Sequence, residues 1–146
     1  MYTGLLHLHN SLRWLILLVA LVTLVKYFMG WFSQKGWMKS DNILGILFTV
    51  IMDIQLVVGL VLYFGYSPIT KAAFQDFGAA MKNADLRFYA VEHFIMMIIA
   101  LALVHIGRSK TKKAISARRK FGISLVFLGI AYIIISAAIP WSRVIA

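Results

Sequence analysis

Eight side chains in this 146-residue chain bring ligating or ionisable chemistry into apolar surroundings: His7, His9, Arg13, Asp53, Gln55, Glu92, His93 and His105. Each stands in or beside a run of leucine, isoleucine, valine and methionine. A polar or ionisable group in hydrocarbon is costly, so each one requires a partner or a purpose. Imidazoles ligate haem iron, zinc or copper, carboxylates ligate zinc, and a guanidinium neutralises an acidic group. With a helical rise of about 1.5 Å per residue, a helix entered near Leu5 places His9 about 6 Å and Arg13 about 12 Å inside the apolar layer. A helix entered near Leu86 places Glu92 and His93 about 9–11 Å inside that same boundary. Two histidines, a carboxylate and an arginine therefore share one slab.

Helical phase divides this set. His9 and Arg13 are four residues apart and share a face, with Asn10 on its flank, whereas His7 projects about 160° from His9 and is expected to face headgroups or the helix end. On the later helix His93 and Met97 share a face, and Met96 and Met97 read as packing. His105 lies about 18 Å deeper than His93. Asp53 falls near mid-helix, where it is expected to pair with Arg13, to stay neutral, or to handle protons; Glu92 is a second acid within reach of Arg13. Gln55 and Gly59 share a face, which predicts an interhelical hydrogen bond from Gln55 and close packing at Gly59.

The elements that must position these groups follow from the bulk pattern. The chain is 62% hydrophobic and 14% charged, with a mean hydropathy of +0.86, too apolar for a water-soluble domain of this length. Apolar runs at 12–27, 43–64, 88–106 and 121–139 approach the ~20 residues a helix needs to cross a bilayer. Two-residue alternation is missing, which disfavours a transmembrane barrel. The reading is one all-α domain, residues 1–146, a transmembrane four-helix bundle with helices at about 5–29, 42–65, 86–107 and 120–140. Residues 1–10 carry no lysine or arginine, so the first helix is read as retained rather than as a cleaved signal. With no cysteine in the chain, disulfides, thiolate ligands, iron–sulfur clusters and covalently attached haem are excluded.

The net charge of +10 reports topology. Lys26, Lys35 and Lys39 join Arg108, Lys110, Lys112, Lys113, Arg118, Arg119 and Lys120 on one side, ten cations in all. The opposite side has Lys71, Lys82, Arg87 and Arg143, offset by Asp76 and Asp85. The positive-inside rule predicts both termini outside, short cytoplasmic loops and one longer outer loop, in a bacterial inner membrane. Retention of these loops accounts for "GRSKTKKAISARRKFG" without nucleic acid, and the stretch also suits anionic headgroups. Ser40 and Asp41 are candidate caps for the second helix, residues 71–81 a short amphipathic surface helix, and "IPW" the end of the fourth.

"LLHLHNSLRWLILL", "DIQLVVGLVLYF", "EHFIMMIIALALVHIGRSK" and the late "IPW" together resemble small four-helix bacterial membrane proteins described as cytochrome b-like. The resemblance spans nearly the whole chain and implies one non-covalent haem b held by His93 and His9, or His7, near the outer face. It also implies electron transfer between the quinone pool and a membrane or periplasmic partner. Arg13 would then neutralise a propionate or pair with Glu92, and a cleft near Trp14 or Tyr89 would suit a quinone. Helices 2 and 4 carry no histidine, so a second, inner haem would have His105 alone. Two other readings compete. One is a zinc or copper site of His7, His9, Glu92 and His93, which requires an unwound first turn because His7 and His9 diverge on a regular helix. The other is a non-catalytic accessory or assembly subunit with a tightly packed centre; an oligomer is compatible with every one of these readings.

Overall fold

The computed structural model describes residues 1–144; the Arg143 side chain, counted above among the outer cations, lies outside what is described. Among the described residues every regular element is helical. Four stretches are long and apolar enough to cross a membrane: Tyr2–Phe32, Lys39–Tyr66, Ala84–Lys113 and Ala117–Ala137. They outrun the expected ends because polar residues continue a helix once its apolar turns have nucleated it.

The first helix, α1 (Tyr2–Phe32), is regular from its first turn. The second, α2 (Lys39–Val61), continues as a π-helical turn at Leu62–Tyr66. Asp41 caps α2 from inside its first turn, accepting from the Met38 N–H at 2.8 Å. Its other oxygen pairs with Lys26 at 3.2 Å. Ser40, the other candidate cap, instead bonds Lys26 at 2.6 Å.

Three short helices cross the end of the bundle: α3 (Pro68–Gln75), α4 (Phe77–Lys82) and α5 (Ala84–Arg87). The expected single surface helix is thus two, because Asp76 stops α3 and caps α4 through the Ala79 N–H at 2.9 Å. Pro68 opens α3 where its missing N–H costs nothing. A second π-helical turn, Phe88–Glu92, leads into α6 (His93–Lys113), followed by α7 (Ala117–Ala137) and α8 (Trp141–Val144).

In the bundle α1 packs between α2 and α7, and α6 packs chiefly on α7 and more lightly on α2, so α1 and α6 stand on a diagonal. The half nearest the basic loops is filled. Phe48 and Phe121 are fully buried there, Trp37 packs at a tilt against Phe121, and the buried Tyr27 hydroxyl donates to the Asp41 carbonyl at 2.7 Å. Gly107 lets α6 meet α7 closely, since a Cβ there would lie 2.4 Å from the Phe127 Cβ. Outward faces carry Leu18, Val22, Phe28, Val57 and Ile133, all well exposed, as lipid contact requires. The half nearest the termini is hollow.

Candidate cofactor cavity

The hollow half encloses a cavity of about 530 Å³ walled by α1, α2 and α6 and closed at one side by the end of α7. Its size falls in the range of about 300–1,000 Å³ usual for small-molecule and cofactor sites. His9 and His93 both line it. Their rings approach across the bundle diagonal, with centroids 6.2 Å apart and planes at 68°. Two imidazole nitrogens each about 2 Å from a shared metal would put ring centroids about 6 Å apart.

Each ring is set by its neighbours. The Nδ1–H of His93 donates to the Ala138 carbonyl at 2.9 Å. That carbonyl is free because α7 ends at Ala137 and Pro140 prevents the turn that would have engaged it. The bond fixes the tautomer and leaves Nε2 with its lone pair, the arrangement in which histidine ligates metals. His9 lies against Gly59, where a Cβ would sit 3.3 Å from its Cε1. Gln55 anchors the same turn of α1, its Nε2 donating to the His9 carbonyl at 2.9 Å. The expected interhelical bond and close packing thus both serve the His9 ring.

Three buried side-chain atoms among the described residues have no hydrogen-bond partner: His9 Nδ1, Arg13 Nε and Gln55 Oε1. All three belong to residues that line the cavity. Buried polar atoms are nearly always satisfied, and these three exceptions are covered atoms within the wall of one hollow. Both π-helical turns border it as well. Tyr63, in the first, donates to the carbonyl of Ala90, in the second, at 2.6 Å and stacks on Phe94 with centroids 4.7 Å apart. Such turns recur beside functional sites because they free backbone groups and re-aim the side chains that follow.

Other sequence expectations change. Arg13 does not reach Asp53: its guanidinium contacts Asn10 at 3.4 Å and lies over the Trp14 ring at 5.3 Å. Asp53 instead accepts from His105 Nε2 at 2.8 Å, because it points to the α6 side of α2. Glu92 is taken by Arg87 at 2.7 Å, within its own helix, so it pairs with neither Arg13 nor His9. His7 is exposed on the far side of α1, as regular helical phase requires. No unwound first turn rescues the four-ligand zinc or copper site, and among the described residues no three His, Asp or Glu side chains are grouped to hold a metal ion. Trp14 packs edge-on against Trp141 at 6.3 Å, whereas Tyr89 lines the cavity. The reasoning on sequence alone missed Ala138; the signal was "AAIP", which ends a helix one turn early and leaves a carbonyl spare. No family model, curated protein or solved structure matches the chain.

Proposed function

We propose that this protein is a membrane b-type cytochrome that holds one haem in the hollow half of its bundle, with His9 and His93 as axial ligands. The observation that carries the reading is the pairing of these two rings, 6.2 Å apart, in the wall of a cavity large enough for a cofactor. Haem iron supplies reversible one-electron chemistry when bound. The chain's own residues do the rest. Ala138 holds the His93 ring in its ligating tautomer, and Gly59 and Gln55 hold His9. Arg13 lines the cavity and would offer its positive charge to an acidic substituent of the cofactor.

The resemblance to cytochrome b-like proteins supplies the physiological setting: electrons pass between the quinone pool and an external partner, in a bacterial inner membrane, with both termini outside. A purely structural subunit would fill its centre, and this bundle leaves about 530 Å³ open. The test is a reduced-minus-oxidised absorption spectrum of detergent-purified protein from haem-sufficient cells. The expected result is a Soret band with separate α and β bands at one haem per chain. A colourless protein at full yield would overturn the proposal.

A further inference from the structure

Asp53, about mid-height on α2, and His105, one turn before Arg108 near the basic end of α6, form a polar pair whose side chains remain 45% and 52% exposed on the outside of the bundle. Asp53 lies about 21 Å along α2 from Lys39, well inside a hydrocarbon layer of about 30 Å. On the same faces stand Val50 and Val57 of α2 and Ile98 of α6, all exposed and apolar. Ionisable groups within a membrane almost always face a bundle interior or a wet cavity. Here they face the lipid side.

The pair is also only half satisfied. One bond, His105 Nε2 to Asp53 Oδ1, joins the two side chains, while Asp53 Oδ2 and His105 Nδ1 have no hydrogen bond. Lipid offers neither atom a partner, and each unmet group there is costly. Carrying no net charge, as an apolar layer favours, the pair presents one free acceptor, Oδ2, and one free donor, Nδ1–H. A surface with one of each is complementary to itself under a two-fold rotation, the condition for an isologous contact between identical chains.

We infer that the α2–α6 face is the interface of a homodimer within the membrane, in which the Asp53–His105 pairs of two copies meet and satisfy one another. α2 packs only lightly on α6, and the exposed Val50, Val57 and Ile98 beside the pair supply apolar surface for a second copy to cover. This contact lies on the outside of the bundle and does not depend on what the cavity holds.

The natural chain has no cysteine, so disulfide trapping in native membranes reads the contact cleanly. Val57→Cys, four residues on from Asp53, places a thiol on this face, and Ile133→Cys places one on the outward face of α7. The expected result under mild oxidation is a disulfide-linked dimer with Val57→Cys, about tenfold more abundant than with Ile133→Cys, because the bond forms only between closely approaching Cβ atoms. Adding Asp53→Leu and His105→Leu to Val57→Cys should reduce that dimer about tenfold, while a merely crowded membrane would leave it unchanged. Equal trapping at both positions, no dimer at Val57→Cys, or a Val57→Cys adduct with a different protein would each overturn the inference.

Discussion

His7 and His9 carry the same imidazole two residues apart, and only His9 reaches the cavity. Their divergence of about 160° follows from regular helical phase alone, so it was legible in the sequence once α1 was known to be unbroken. His93 was nominated by depth, but its aim could not be derived: the π-helical turn Phe88–Glu92 resets the phase just before it. We predict that His9→Ala and His93→Ala each abolish the low-spin haem spectrum while His7→Ala leaves it intact; equal loss in all three would point to misfolding rather than ligation. Gly59→Val should also lose haem, since its side chain would occupy the space of the His9 ring. That variant should keep its helical circular dichroism, so the loss reads ring displacement and not collapse. The Arg13–Asp53 pair failed for a reason that sequence hides. Depth estimates place residues along an axis, but which helices are neighbours, and which way each is rotated, emerges only from packing.

Among the elements, the α6–α7 contact is the closest, and Gly107 makes it so. An alanine normally gains up to about 1 kcal/mol over glycine inside a helix. At Gly107 the added Cβ would meet the Phe127 Cβ at 2.4 Å, an atom tied to its backbone and unable to swing away. Overpacking of this kind costs about 1–3 kcal/mol, so Gly107→Ala should lower the thermal unfolding midpoint in detergent. Gly129→Ala, with nothing within 4 Å of its Cβ, should raise it by the helix-propensity gain of about 0.5–1 kcal/mol. A stabilised Gly107→Ala would show that α6 and α7 are further apart than described. Four apolar helices and the stops at Pro68 and Pro140 were legible in the sequence. The break at Asp76 and the two π-helical turns were not: the first is a local cap that competes with a continuing helix, and the turns have carbonyls, those of Tyr63 and Ala90, that find partners in another element.

The whole molecule is divided along its axis: one half solid with aromatic packing and ringed by cations, the other hollow and crossed by short helices. Charge placement predicts that the solid end is cytoplasmic. In intact cells, an impermeant maleimide should therefore label Ser142→Cys and leave Lys35→Cys unlabelled until the membrane is opened; the reverse pattern would invert the topology. Hydropathy revealed helices long and apolar enough to cross a membrane, but not that the core would be left half empty. A hollow is a property of how four surfaces fit, and no single run of residues encodes it. The hollow is the site of the proposed haem, and its ligation is the central claim. Electron paramagnetic resonance of the air-oxidised, purified protein tests that claim most directly. Two imidazole ligands predict a low-spin ferric signal that turns high-spin or vanishes in His93→Ala. A high-spin signal in the unaltered protein, or no haem signal at all, would contradict the account.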